Sequence, residues 1–294
     1  MILKNKLTGD INQIKMKRIK SFDNSHPVLY LIATPIGNLG EFSTRAIEIC
    51  QQMDIIASED TRNSGDLLSK FGIKKHLFSL REHNEVEASN YLIEQIKQGK
   101  KVAYMSDAGY PGISDPGMIF TKLALENDIA VSVISGSSAF ISALISSGLD
   151  TSHFYFHGFL SPKENEAKNE LETLKNKEET LIFYESPHRI KKTLQILFEV
   201  LGDRRVSLHR ELTKLNEENI LGTLKELLEI DESTLKGEMV IVIEGNQSEL
   251  TLTDQEILEK IEYFTSKNMS KKDAIECVSE IYNVRKNRIK ELIK

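Results

Sequence analysis

Cysteine is scarce in this 294-residue chain: only Cys50 and Cys277 occur, far apart and in no CxxC or Cys/His cluster. That argues against a disulfide framework and against a cysteine-built zinc site. Long apolar runs are missing too. No stretch reaches the roughly 18 apolar residues of a membrane span, and the N-terminus lacks an apolar run of signal-peptide length. A soluble, cytoplasmic protein with no membrane partner is expected. The common nucleotide and metal signatures are absent: no GxxxxGK[ST], no GxGxxG after a strand and no HExxH. A P-loop NTPase, the usual dinucleotide loop and a zinc hydrolase are thereby disfavoured, and no metal site is expected.

What is present is globular material, 40% hydrophobic and 28% charged, enough to build a large core. The net charge of −6 is unevenly spread. Residues 1–27 carry +4 and residues 267–294 another +4, which leaves −14 on the body between them. Basic ends on an acidic body suit local contact with a polyanion, although solvated termini give the same pattern. The acidic body disfavours indiscriminate nucleic-acid binding.

Periodicity divides the chain. Residues 1–27 lack core spacing and read as a loose basic leader. From Val28 apolar strands alternate with helices. Strands are predicted at 28–33, 54–57, 102–105 and 131–134, and helices at 43–50, 85–97, 118–126 and 139–147. This alternation predicts an α/β class with a mainly parallel, doubly wound sheet over 28–150. The pattern restarts near Gly148-Leu149-Asp150. Strands at 154–159, 181–184, 206–209 and 239–243, with helices at 163–174, 190–201 and 224–229, predict a second α/β domain over 151–245. Gly245-Asn246-Gln247-Ser248 reads as a linker. Residues 250–294 are expected to form a helical domain. In it Thr253 and Glu256 make a capping box, Ser270 caps a second helix, and a break at Tyr282-Asn283 precedes a short helix bearing Arg285, Lys286, Arg288 and Lys290. Helix, turn and basic helix outline a helix-turn-helix, an outline that many packing pairs share.

Residues Ser106 to Gly117 hold three glycines, two prolines and two aspartates directly after a predicted core strand. Glycine opens backbone conformations that other residues avoid, and proline fixes φ. In open α/β sheets ligands sit past the carboxyl ends of strands. The strand-end segments 34–38, 106–117 and 135–138 emerge on one edge and are expected to converge on one ligand. Pro35, Ile36 and Gly37 would let the main chain approach it. Gly136-Ser137-Ser138, opening a helix, offers N–H groups and hydroxyls to a carboxylate or other anion. A ligand with a carboxylate, an amine and a nucleoside fits this set.

Six motifs in order carry a family resemblance: Thr34-Pro35-Ile36-Gly37-Asn38-Leu39, Ser58-Glu59-Asp60-Thr61-Arg62, the Ser106 to Gly117 loop, Phe183-Tyr184-Glu185-Ser186-Pro187-His188-Arg189, Arg210-Glu211-Leu212-Thr213-Lys214 and Gly237-Glu238-Met239-Val240. From about residue 28 onward the chain resembles the ribosomal RNA small subunit methyltransferase I family of the tetrapyrrole-methylase superfamily. These are class III S-adenosylmethionine-dependent methyltransferases. The resemblance implies the tetrapyrrole-methylase arrangement of two α/β domains with an added C-terminal helical domain. It implies S-adenosyl-L-methionine folded into the cleft between them, and a homodimer. It also implies methylation of a cytidine ribose 2′-hydroxyl in the decoding region of 16S rRNA, within the small ribosomal subunit. The chain departs from the family pattern in two loops. Tyr110 and Gly112 stand where Thr and a larger apolar residue are common, and Ser135-Gly136-Ser137 stands for Pro-Gly-Pro.

These motifs yield the candidate residues. Pro35, Ile36, Gly37, Asp107, Gly109, Tyr110, Pro111, Gly136, Ser137, Ser138 and Tyr184 are expected around the cofactor, with Asp107 accepting from its amine or hydroxyls. A ribose hydroxyl is a poor nucleophile and benefits from a base or a stabilising charge. Glu59 and Glu185 are expected near the acceptor, with Arg62 as a further catalytic candidate. Arg62, His188, Arg189 and Lys214, with Arg285, Lys286 and Arg288 of the helical domain, are expected on RNA phosphates. Bland alternatives stand beside each. Residues 59–62 can hold an internal ion pair, His188 and Arg189 can start a helix, and Asp115 can cap the helix that follows it. Three other functions remain: a methylase of a tetrapyrrole or protein side chain, a non-catalytic RNA-binding assembly factor, and a phosphohydrolase built on Asp60, Asp107 and Asp115.

Overall fold

The structure, a computed structural model, describes residues 27–247, 252–282 and 284–293. The expected leader, Ser248 of the expected linker and Asn283 of the expected break lie outside the described residues.

The first sheet is built from β1 (Val28–Ile32), α1 (Thr44–Gln52), β2 (Ile55–Ser58), α2 (Thr61–Lys70), β3 (His76–Ser79), α3 (Glu85–Lys97), β4 (Val102–Met105), α4 (Met118–Glu126), β5 (Ala130–Ile134) and α5 (Ala139–Ser146). Its strand order is β3-β2-β4-β1-β5, and every pairing is parallel. Both faces are covered. Leu29, Leu31, Val102 and Tyr104 pack toward α3 and α4, while Ile32, Ile56, Ala103 and Met105 pack with residues of α1 and α2. Helix α3 illustrates the forces. Ala88, Leu92, Ile93 and Ile96 recur at helical spacing and are all buried. Each large aliphatic side chain so buried contributes on the order of 1.5–3 kcal/mol.

Two elements here are absent from the sequence reading, and each has a physical reason. Strand β3 is an edge strand whose four residues all keep some exposure, so it carries no apolar run. Helix α2 reads TRNSGDLLSK, with an interior glycine and only Ser64 and Leu68 buried, too thin an apolar stripe to register.

The second sheet contains β6 (Phe154–Phe159), α6 (Glu164–Glu172), β7 (Thr180–Glu185), α7 (Ile190–Leu201), β8 (Arg205–Arg210), β9 (Glu218–Thr223), α8 (Leu224–Leu228) and β10 (Met239–Ile243), in the order β6-β7-β10-β8-β9. Only β6 and β7 pair in parallel; the other three pairings are antiparallel. Strand β9 was missed for the same reason as β3: it is an edge strand, exposed along much of its length. Helix α5, although it follows β5 of the first sheet, buries Ala143 and Leu144 against Ile182, Val240 and Val242 of the second. It therefore clamps the two sheets around whatever lies at its own N-terminus.

Helices α9 (Asp254–Ser266), α10 (Lys271–Ile281) and α11 (Lys286–Leu292) share a separate core of Ile257, Ile261, Ala274, Val278, Val284 and Ile289. The Thr253–Glu256 capping box and the Ser270 cap are both formed.

Candidate functional site

Strands β4, β1 and β5 are neighbours, so their C-terminal loops are neighbours too. The loop after β1 is stitched to the loop after β4 by a two-way backbone bridge, with Thr34 N–H donating to Gly109 O at 2.9 Å and Gly109 N–H to Thr34 O at 3.1 Å. Thr34 Oγ1 also donates to Ser106 O, and Ser106 Oγ to Gly109 O. The third loop joins through Tyr110, whose hydroxyl accepts from Gly136 N–H at 3.1 Å and lies 3.3 Å from Gly136 O. Gly136 passes so close to β1 that a Cβ would sit 3.1 Å from the Ala33 methyl. The two departures from the family pattern thus lie against one another. Tyr110 supplies the hydroxyl that binds Gly136, and Ser137 donates to Glu41 at 2.5 Å, a bond that proline at this position could not make.

Asp115 is not the cap of α4. The carboxylate of buried Glu85 takes that place, accepting from Gly117 N–H at 2.8 Å and Ile119 N–H at 3.0 Å, where a helix N-terminus favours negative charge. Asp115 is left in the wall of a cleft between the two sheets. This cleft has a volume of about 260 Å³, close to the lower end of small-molecule sites. Ile36, Gly109, Tyr110 and Ser138 from the first sheet's loops face Tyr184, Leu212, Lys214, Met239 and Val240 of the second, with Phe140 at the start of α5. Burial pushes Asp115 up to about 7, reinforced by the charges of Glu59, Asp107 and Glu238. Burial likewise pushes Tyr184 up to about 12, against a hydrogen bond from the Phe140 main chain.

Lys214 reaches across from the second sheet. Its ammonium pairs with Glu211 at 2.9 Å, and its stem lies over Gly37, where a Cβ would overlap Lys214 Cγ at 2.5 Å. Gly37 adopts a φ of 144°, and Glu211 and Thr213 hold positive φ without being glycines. Gly237 leaves room for the Glu211 carboxylate in the same way. Non-glycine residues in this region persist where surrounding contacts hold them, and they cluster at functional sites.

A second, more polar groove opens on the other side of the Thr34–Gly109 bridge. Pro35, Gly37, Asn63, Ser64, Ser106 and Asp107 line it. Asp107, expected at the cofactor, instead accepts from Asp60 N–H at 3.1 Å and Asn63 Nδ2 at 2.9 Å. Asp60 caps α2 and pairs with Arg62 at 2.7 Å, a bond that holds its carboxyl well below the usual range. The Arg62 side chain is 85% exposed. Glu59 is raised above the usual carboxylate range, first by partial burial and then by Asp107.

The other candidate motif is folded inward. Glu185 is fully buried as a side chain, accepting from Thr193 Oγ1 at 2.6 Å and Ser186 N–H at 2.8 Å, with Arg189 at 3.4 Å. Arg189 donates to Leu160 O at 2.9 Å. Its guanidinium is engaged inside the second sheet, and only His188 of this motif stands exposed. In the helical segment Lys286 pairs with Glu276 and Arg288 with Asp254, both on the surface, while Arg285 is the exposed cap of α11.

The structure therefore brings Ile36, Gly109, Tyr110, Ser138, Tyr184 and the buried Glu185 together around the cleft, with Lys214 at its edge. It places Pro35, Gly37 and Asp107 in the adjoining groove, Gly136, Ser137 and Pro111 in the scaffold of the loops, and Arg62 outside on α2. Phe140, Ile113 and Glu238 also line the cleft. Sequence reasoning gave them no role; Glu238 lies inside a quoted motif, and the other two look like ordinary apolar residues. Among the described residues no group of His, Cys, Asp and Glu is arranged to hold a metal ion, and no helix is long and apolar enough to cross a membrane.

Comparison with known proteins agrees with this architecture. Residues 28–228 match the family described as Tetrapyrrole (Corrin/Porphyrin) Methylases. The chain is 39% identical over 283 residues to ribosomal RNA small subunit methyltransferase I of Bacillus subtilis, covering 93% of this chain and 97% of that one. It is 43% identical over 271 residues to the protein of that name from Haemophilus influenzae, covering 89% and 94%. Among solved structures, the methyltransferase CobJ superposes with a TM-score of 0.57 at 15% identity, covering 75% of this chain and 94% of that one. Uroporphyrin-III-C-methyltransferase from Thermus thermophilus gives 0.54 at 17%, covering 74% and 94%. At those identities the structural matches speak for the fold alone. The chain belongs to the tetrapyrrole methylase family and, within it, to the ribosomal RNA small subunit methyltransferase I group.

Proposed function

We propose that the protein transfers a methyl group from S-adenosyl-L-methionine to the ribose 2′-hydroxyl of a decoding-region cytidine in 16S rRNA. The substrate would be the rRNA within the small ribosomal subunit, and the enzyme a homodimer acting in the cytoplasm. The observation that carries the reading is the pairing of a largely apolar cleft with an adjoining, more polar groove. A donor and an acceptor would occupy the two and meet at their shared wall. The group membership supports RNA as the acceptor, since the relatives bear that activity in their names.

The residues present fit the donor. Ile36, Phe140, Leu212, Met239 and Val240 offer apolar walls for a nucleoside, and the Ser138 and Ala139 main chain opens α5 toward a carboxylate. Asp115 and Glu238 face a cation with no basic partner of their own among the described residues. The donor supplies an activated methyl on a positively charged sulfur. The protein's part is to align the acceptor oxygen, exclude water and remove a proton. Asp107 and Asn63 shape the acceptor groove, Lys214 closes its border with the cleft, and Arg62 with the exposed bases of the helical segment would meet phosphates.

The test is methylation of small subunits with labelled donor, followed by mapping of the modified nucleotide. One cytidine resistant to alkaline cleavage is the expected result. Label on a base, or on a macrocycle with none on RNA, would overturn the reading. Calorimetry showing that the donor does not bind would favour a non-catalytic assembly factor.

A further inference from the structure

Four carboxylates flank the border of cleft and groove: Asp115 and Glu238 line the cleft, Asp107 lines the groove, and Glu59 is close enough to act on Asp115 by charge. Glu59 and Asp107 come from the loops after β2 and β4, Asp115 from the tip of the 106–117 loop, and Glu238 from the segment before β10. All three of the others act on Asp115 with like charge. Among the described residues Asp115 accepts no hydrogen bond and forms no ion pair, although it lies in the cleft wall. Its position is imposed. The loop turns through Gly112, Ser114 and Gly117, all at positive φ, and Gly112 N–H closes it on Pro116 O at 2.9 Å. Ser114, one residue before, abuts Gly158 of the second sheet.

A second, independent observation points to this spot. Tyr104 on β4 is 0% exposed, yet its hydroxyl has no partner among the described residues. Its ring touches Gly117 at the base of the loop, and burial first, then the charges of Glu59, Asp115, Glu85 and Asp107, oppose its ionisation. The unpartnered hydroxyl thus belongs to a side chain packed against the base of the loop that carries Asp115. A buried polar group without a partner is destabilising, and like charges without a counter-charge add to that. Such an arrangement is held for a positively charged guest.

We propose that Asp115 is the carboxylate that answers the sulfonium charge of the methyl donor and then takes the proton of the acceptor hydroxyl. The inference rests on the function proposed above. The acceptor oxygen forms the new O–CH₃ bond, and the S–CH₃ bond breaks with its electron pair retained by sulfur. Asp115 receives the proton leaving that oxygen. Sulfur passes from positive to neutral while Asp115 passes from negative to neutral, so the net charge of the site does not change during transfer. Burial and its acidic neighbours hold Asp115 up at about 7. A cation beside it favours ionisation, which makes it a base only when the donor is present.

The groups facing Asp115 are Glu59, Asp107 and Glu238, with Tyr104 and Tyr184 as the nearby phenols. The decisive readout is binding rather than turnover. Affinities of S-adenosylmethionine, a cation at sulfur, and S-adenosylhomocysteine, neutral there, are measured by calorimetry from pH 5.5 to 8.5. The preference for the cation is expected to grow by roughly 5-fold or more across that range, the scale of a modest site–site coupling. Asp115→Asn should abolish that growth, while Glu59→Gln should retain most of it. In single turnover the wild-type rate should rise with pH and level off. Asp115→Asn should lose roughly 100-fold or more and the limb itself. A pH-dependent preference surviving in Asp115→Asn would overturn the proposal while leaving the methyltransferase reading intact. Failure of the wild-type protein to bind either ligand would remove both. Because asparagine is isosteric and uncharged, a melting temperature at or above wild type at pH 8 certifies that the variant is folded.

Discussion

Two segments of the chain carry nearly the same chemical letters and use them in opposite ways. Glu59-Asp60-Thr61-Arg62 and Glu185-Ser186-Pro187-His188-Arg189 both lie at the end of a buried strand and both pair an acid with an arginine. In the first, Asp60 and Arg62 bind each other on the surface of α2, and the guanidinium stays 85% exposed. In the second, the Glu185 side chain is wholly enclosed and Arg189 is spent on the carbonyls of residues 160 and 161. The difference lies in the neighbours. Glu185 stands on β7, a central strand with β10 beside it and α7 across it, whereas residues 59–62 pass into a helix whose outer face is bare. An acid–arginine motif therefore signals a strand end, and its surroundings decide whether it presents charge or locks structure.

That contrast can be broken by experiment. The largest effect should come from Glu185→Ala, which leaves Arg189 and Thr193 without their partner. A loss of about 3–5 kcal/mol in chemical denaturation is expected, the usual result of removing half of a buried pair. A folded, normally stable variant with lost turnover would instead make Glu185 a catalytic group. Next is Gly37→Ala, whose methyl must displace the Lys214 stem and strain a φ of 144°. Methyl transfer should fall by at least tenfold, about 1.4 kcal/mol, and the loss should be in rate rather than in donor affinity. Tyr110→Phe removes the hydroxyl shared with Gly136 and should cost about 1 kcal/mol of stability, together with weaker donor binding in titration. Arg62→Ala should change stability by less than about 0.5 kcal/mol, yet lower RNA affinity and reduce the salt slope of binding by about 1. An unaltered salt slope would remove Arg62 from the RNA contacts.

A pH experiment sharpens the comparison further. Asp60 and Asp115 are shifted in opposite directions, the first down by Arg62 and the second up to about 7 by burial and its acidic neighbours. Between pH 4 and 7 the folded protein holds a proton on Asp115 that the unfolded chain has already released, so this residue's contribution to stability falls as pH rises through that window. Replacing it with asparagine should flatten that part of the stability curve and raise the melting temperature most at pH 8. A parallel displacement of the whole curve would show that Asp115 does not titrate there.

The boundaries of α3, α4 and α7 were legible to the residue, because apolar spacing and flanking loop residues act within one turn of chain. The meeting of the loops at Thr34, Gly109 and Gly136 was legible too, since parallel strands send their C-terminal ends to one edge. Strands β3 and β9 were not, because edge strands are paired by backbone rather than by a buried face. Asp107, expected at the donor, lies on the groove side, where Asn63 of a helix not legible in the sequence hydrogen-bonds it. For Asp115 the sequence left a helix cap and a ligand contact equally open, and the cap is supplied by Glu85, distant in sequence.

The sequence by itself determined the buried strands and the helices with a broad apolar stripe, that glycine and proline crowd one sheet edge, and to which family the chain belongs. Those properties are local, or are sums over local choices. Only the tertiary structure decided which carboxylates are locked, which are presented and which stand without a counter-charge. Electrostatic environment depends on what the rest of the chain brings within a few ångströms, and no spacing along the sequence records that distance.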